Sequence, residues 1–208
     1  MAYQCALCTR HGCRRRDMED TMKSCPSRDA AVQEKALALY GEEENRHIAY
    51  TAATVEKDGY CQLTRIEEIM LFARRMGYRR LGLIFCIGLK EEARRVHDIF
   101  THNGFEVVSA VCKNGGIPKA AVGIAPEQTL RGCADEVMCN PIGQALLMND
   151  ERAELSVLLG LCVGHDTLAM KYLEGPATVL AVKDRVTGHN PLAPVYQADS
   201  YYKSKLYK

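Results

Sequence analysis

The strongest constraint on the fold is a set of four short apolar runs, residues 81–86, 105–112, 155–162 and 177–183, spaced by loops and amphipathic stretches. Residues 81–86 form a buried-strand run and residues 105–112 are rich in Val, as strands are. Between the runs, residues 90–103 read as an amphipathic helix ended by Gly104. Residues 141–149 read as a short helix, and residues 165–173 as a helix stopped by Gly175 and Pro176. Strands alternating with helices predict a mostly parallel sheet with helices on both faces. The expectation is therefore an α/β fold, with a Rossmann-like three-layer domain over residues 79–196.

The chain ahead of that domain has a different texture. Residues 29–78 read as helical and packed on the core. Residues 30–40 are amphipathic and stop at Gly41, and residues 42–57 continue in helical style. Thr64 and Glu67 then have the spacing of a capping box, which opens a helix with Ile66, Ile69, Met70 and Ala73 on one face. Residues 1–28 are rich in Cys, Arg and polar side chains and show no apolar period. Such a segment builds no core of its own, and a bound metal would explain its order. Residues 197–208 read as a polar tail rich in Tyr and Lys.

Composition excludes little but directs the cysteines. A length of 208 residues suits one domain plus a small appendage. With 27 basic and 26 acidic residues the net charge is +1, which argues against a nucleic-acid partner. No basic-then-apolar leader opens the chain, and the longest apolar run, near 155–164, is too short to span a bilayer. A cytoplasmic, non-membrane protein is expected. Ten cysteines in a reducing compartment then mean metal ligation, reactive thiols or buried small hydrophobes, rather than disulfides.

Two cysteine groups stand out. Cys5, Cys8, Cys13 and Cys25 form the first. Two thiolates with two residues between them can share one metal, and four suit tetrahedral zinc or an iron–sulfur cluster. Only one such close pair is present, where a zinc ribbon carries two. Pro26 follows Cys25, as in ferredoxin-type ligands, so the balance favours iron–sulfur, with zinc as the alternative. His11 could replace one sulfur. Arg14, Arg15 and Arg16 are read as offsetting thiolate charge rather than binding phosphate.

Cys86, Cys112 and Cys162 form the second group, each closing an apolar run, and Cys139 joins them ahead of Asn140 and Pro141. Open parallel sheets bind ligands outside the carboxyl ends of their strands. Helix N-termini lower thiol pKa, so these cysteines are placed to act as ligands of a second metal or cluster, or as nucleophiles. Each is also explained by simple burial. His165, Asp166, Asp184 and His189 fall in neighbouring post-strand positions. Together with Cys162 they are the candidate catalytic set, the histidines as ligands or proton shuttles and Asp184 as their orienter. Gly82 and Gly88 make no dinucleotide fingerprint, and residues 113–116 lack P-loop order, so neither NAD nor ATP is expected. Cys61 and Cys133 carry no assignment.

The strings at residues 139–144, 160–166 and 182–191, with the cysteine-rich start, resemble an uncharacterised family of metal-binding proteins. That family is a domain of unknown function, found mainly in anaerobic prokaryotes. Residues 77–86 and 104–112 are also similar, so the resemblance spans nearly the whole chain. It implies metal binding and, from an anaerobic setting, iron–sulfur chemistry, but no reaction. The expected function is a metal-binding protein with a redox or catalytic role and a redox or small-molecule partner. A zinc-stabilised binding or regulatory module, and a metal or sulfur carrier, are the alternatives.

Overall fold

A computed structural model describes residues 2–208, which divide into two compact units, one ending at Tyr60 and one running from Cys61 to Lys208. The first unit begins with isolated helical turns, Cys5–Leu7, Gly12–Arg15 and Pro26–Arg28. Polar contacts order this stretch. The Arg28 guanidinium donates to Thr21 Oγ1 at 2.7 Å and to the Met18 carbonyl at 2.6 Å, and Arg15 pairs with Asp20. Gly12 is buried so tightly that a Cβ would run into the carbonyl oxygens of Asp17 and Asp20. Helix α1 (Ala30–Tyr40) follows, its Asp29 cap accepting from the Val32 N–H at 3.2 Å. Helix α2 (Glu43–Gly59) returns after a two-residue connection.

The second unit carries the sheet. Helix α3 (Arg65–Met76) starts at Thr64. The Glu67 carboxylate accepts from the Thr64 backbone N–H at 2.8 Å and from its hydroxyl at 2.5 Å. The capping box expected at Thr64 and Glu67 is present, with the Thr64 hydroxyl also donating to the carboxylate. Strand β1 (Arg80–Phe85), helix α4 (Lys90–His102), strand β2 (Glu106–Val111), helix α5 (Pro141–Asp150), strand β3 (Leu155–Leu161), helix α6 (His165–Tyr172) and strand β4 (Ala177–Val182) then alternate. All strand pairs are parallel, in the order β2-β1-β3-β4.

That order follows from three crossovers. The chain steps from β1 outward to β2, passes back across β1 to β3, and steps outward again to β4. Right-handed crossovers place α4 on one face and α5 and α6 on the other. Helix α3 shares the α4 face, since the Arg74 guanidinium donates to the Asn103 carbonyl at 3.1 Å, just beyond α4. The two central strands are covered on both sides, and every residue of β3 is buried. Leu81, Leu83, Ile84, Phe100, Val157 and Leu158 are almost completely withdrawn from solvent. Each contributes about 1.5–3 kcal/mol through burial. At Gly82 a Cβ would meet Met148 Sδ at 2.7 Å, so the missing side chain is what lets α5 lie close on β1.

A bulge interrupts β3 near its end. The pairing with β4 shifts on either side of Leu159, and Gly160 takes a φ of +64° with the buried Leu89 side chain in the space a Cβ would need. Bulges of this kind re-aim the following side chains, here Leu161 and Cys162. The long segment between β2 and α5 is closed by an antiparallel bridge, Pro118 to Val137, and by a Lys119–Glu136 ion pair at 2.5 Å. The tail contains one helical turn, Lys203–Leu206. No helix of the described residues is long and apolar enough to cross a membrane.

Candidate functional site at the carboxyl ends of the strands

Each apolar run read from the sequence as a strand overshoots the observed strand by one residue. Cys86, Cys112, Cys162 and Lys183 are the first residues beyond β1, β2, β3 and β4. Three of them stay tied to the sheet by their backbones. Cys86 N–H donates to the Leu159 carbonyl at 3.2 Å, Cys112 N–H to Phe85 at 2.9 Å, and Lys183 N–H to Leu161 at 3.0 Å. Their backbones are thus held rigidly while their side chains stand at the sheet's end. Because β1 lies between β2 and β3, the ends of β1 and β3 border the switch point, where α/β sheets open a crevice.

Cys139 reaches the same place from the other direction. Asn140 N–H donates to the Cys112 carbonyl at 2.7 Å, which sets Cys139 beside Cys112. Asn140 also caps α5, its Oδ1 accepting from the Gly143 N–H at 2.9 Å, while its Nδ2 donates to Asn114 Oδ1 at 3.0 Å. Asn114 in turn donates to the Val111 and Asn140 carbonyls at 2.9 and 3.1 Å. Beneath them lies Gln144, completely buried. Its Nε2 donates to the Phe85 and Ala110 carbonyls at 3.0 and 2.7 Å, pinning the ends of β1 and β2 together. Gln144 Oε1 is buried without a hydrogen-bond partner.

The thiols of Cys112 and Cys139 interact, each shifting the other's ionisation. Cys112 is buried, and its Sγ accepts the Ile87 N–H at 3.3 Å. The pair shares its protons unequally. Interaction with the Cys112 thiol, with the Lys113 ammonium and the charge of His165 nearby, lowers the Cys139 pKa to about 5. The same interaction and burial push the Cys112 thiol well above the ordinary thiol range. Cys139 is accordingly the thiol favoured to ionise and Cys112 the one favoured to keep its proton. Placement at helix starts predicts thiolates throughout this group; at Cys112 burial beside a thiol that ionises first reverses the shift.

Cations complete the site. Lys113 Nζ donates to the Val137 carbonyl at 2.6 Å, and its charge helps lower the Cys139 pKa. Arg185 donates to Cys162 Sγ at 3.2 Å, a bond that raises the guanidinium pKa. The Lys183 ammonium lies 3.3 Å from the point a Gly88 Cβ would occupy, and Cys86 Sγ lies 3.9 Å from that same point. Beside Cys112, a pocket of about 530 Å³ is lined by Ile87, Lys113, Cys133 and Glu136 among others. The Cys133 thiol there is raised in pKa, first by a hydrogen bond to Asp135.

The remaining candidates serve their own loops. Asp184 accepts from the Val186 and Thr187 N–H groups at 2.9 and 3.1 Å, and hydrogen bonding from Thr187 lowers its pKa. His189 Nδ1 accepts the Asp184 N–H at 3.1 Å, which leaves Nε2 to carry the proton. Asp166 Oδ1 accepts the Thr167 N–H at 2.8 Å. His165 opens α6 and bears on Cys139 through its charge. Sequence reasoning missed Lys113, Asn114 and Gln144. For Lys113 a signal existed, since it directly follows a strand-end cysteine.

The N-terminal group is dispersed in character. Cys5 and Cys13 are exposed, Cys8 is half-buried, and Cys25 is buried. Among the described residues, no three His, Cys, Asp or Glu side chains form a group that could hold a metal ion. This holds for both cysteine groups.

Comparison with known proteins agrees with the expected family and adds no activity. A family model described as a protein of unknown function (DUF1847) matches residues 25–180. That span includes Cys25, Cys86, Cys112, Cys139 and Cys162 and leaves out Cys5, Cys8 and Cys13. The uncharacterized protein MJ0455 of Methanocaldococcus jannaschii is 40% identical over 175 residues, covering 84% of this chain and 88% of the relative. No solved structure matches. The chain belongs to the DUF1847 family of proteins of unknown function.

Proposed function

We propose that the protein is a thiol-dependent redox or catalytic protein whose working groups are Cys139 and Cys112. One feature carries the reading: Cys112 and Cys139 are set side by side at the sheet's end, with Cys139 favoured to ionise, Cys112 favoured to keep its proton and the Lys113 ammonium nearby. In the redox form, the Cys139 thiolate attacks a disulfide substrate and releases one thiol. Cys112 then loses its proton and attacks the Cys139 sulfur, releasing the second thiol and leaving a Cys112–Cys139 disulfide. The test is incubation with excess oxidised glutathione, followed by disulfide mapping by mass spectrometry. A Cys112–Cys139 bond, reversed by dithiothreitol and absent in Cys139→Ser, is expected. Modification spread over the exposed cysteines, with no bond between these two, would overturn the proposal.

A second reading concerns the N-terminal cysteines. We propose a zinc or iron–sulfur centre held by Cys5, Cys8, Cys13 and Cys25. It is favoured because, among the described residues before α1, Cys25 is the one largely buried apolar side chain and polar contacts supply the rest of the order. A donor set of thiols suits either group. A site that gives up its metal readily to a chelator would mark a metal or sulfur carrier. A closed colourless zinc site would mark a structural module. Metal and sulfide analysis of protein purified without oxygen decides. About one zinc, or iron with acid-labile sulfide, that is lost in Cys5→Ser supports the reading, and metal-free protein of unchanged stability refutes it.

A further inference from the structure

Among the described residues no carboxylate pairs with the strand-end cations. Acidic partners do occur elsewhere in the chain, Arg15 with Asp20, Arg80 with Glu106, Arg94 with Glu91 and Asp98, Lys119 with Glu136. Among the described residues, no ion pair joins Lys113, Lys183 or Arg185 to an acid. Asp184, which stands between Lys183 and Arg185 in sequence, directs its carboxylate to the Val186 and Thr187 N–H groups, and Asp166 accepts from the Thr167 N–H. Three basic side chains thus gather near the strand-end thiols without a direct carboxylate partner among the described residues.

The cations also converge from different strands. Lys113 follows β2, and Lys183 and Arg185 follow β4. In the sheet, β4 is separated from β1 by β3, yet the Lys183 ammonium reaches Gly88, just beyond β1 and beside Cys86. Its side chain therefore spans the end of β3, where Cys162 sits with the Arg185 guanidinium. Gly88 leaves the space the ammonium occupies. Cations gathered at one end of a sheet attract anions more strongly than the same groups isolated in water. The neighbouring pocket is of mixed charge, with Lys113, Arg131, Asp135 and Glu136 in its lining.

We propose that the switch-point crevice binds the oxyanion group of a small acidic substrate, a phosphate or a carboxylate, held between Lys183 and Arg185 with Lys113 at its edge. This orients the rest of that substrate toward the strand-end thiols. The inference deepens the thiol reading, but binding is testable without thiol chemistry. Calorimetric titration of the full chain with inorganic phosphate, and separately with acetate, distinguishes the two oxyanions. Binding of either is expected, roughly tenfold weaker in Lys183→Gln and restored in Lys183→Arg. No binding up to about 10 mM of either anion would overturn the proposal.

A second readout uses charge selection by the thiols. Anionic iodoacetate and neutral iodoacetamide are compared at the strand-end cysteines, with glutathione as the free-thiol reference. The ratio of their rates is expected to exceed the reference by roughly tenfold at low salt and to fall toward it in Lys183→Gln. A ratio equal to that of glutathione counts against the crevice. Thiols inert to both reagents would refute the thiol reading instead, and the phosphate titration would still decide the anion site.

Discussion

Replacing Cys112 by alanine removes the thiol that interacts with Cys139, and the consequence can be worked through. With its partner present, Cys139 has a pKa of about 5. A free thiol sits near ~8.5. At pH 7 the site is then almost wholly thiolate, against about 3% for a free thiol, an advantage of roughly 30-fold. A thiolate of lower pKa is a weaker nucleophile, by roughly 40-fold over this interval for a Brønsted coefficient near ~0.45. At pH 7 the two effects cancel, and rate alone would look ordinary. At pH 5 half the site is still thiolate, against about 0.03% of a free thiol, so a net advantage of roughly 40-fold remains. The assay is exchange with a neutral alkyl disulfide in short pulses from pH 4 to 9, with the Cys139 peptide quantified by mass spectrometry. The native protein is expected to show a midpoint near 5, and Cys112→Ala a midpoint raised by at least about one unit, since the largest stabilising contact is gone. A native midpoint near that of a free thiol, or one that Cys112→Ala leaves in place, refutes the reasoning.

The same pair predicts a pH dependence of stability. Cys139 is lowered and Cys112 raised, so between about pH 5 and the ordinary thiol range the folded pair holds one proton fewer than the unfolded pair, and stability rises with pH. Above that range the unfolded chain releases both protons while folded Cys112 keeps its own, and stability falls. Urea titrations across pH should show this maximum, and a Cys112→Ala, Cys139→Ala double variant should lose it. Gln144→Met keeps side-chain volume but removes two buried donations; Phe85 keeps its bond from Cys112 N–H, so a cost of about 1–3 kcal/mol is expected from the shift in urea midpoint. Gly160→Ala puts a Cβ onto the Leu89 side chain at a φ of +64°, and about 1–3 kcal/mol of destabilisation is expected by the same measurement.

Much of this protein is legible in its local chemistry. The apolar runs mark the four strands, and the two that lie in the middle of the sheet, β1 and β3, are the ones buried along their length, because they are covered on both faces. Thr64 with Glu67, Asn140 with Pro141, and Gly41 mark helix ends, because caps are satisfied within a few residues. The cysteines at the strand ends are visible for the same reason. Each is the residue at which an apolar run stops.

What tertiary structure alone decided is which of those ends meet. The order β2-β1-β3-β4 depends on the sense of each crossover, which no local pattern encodes, and it places the switch point between Cys86 and Cys162. The Cys112–Cys139 pairing joins residues separated by a long loop and depends on Asn140 docking onto the Cys112 carbonyl. It also inverted one expectation: a thiol beside one that ionises first is held protonated, which only the partner's position can reveal. Lys183 reads in sequence as the end of a strand; in the fold its ammonium crosses β3 to reach Gly88. Helices and strands follow from contacts a few residues apart. The site is made of contacts tens of residues apart, so it exists only once the sheet has set its order.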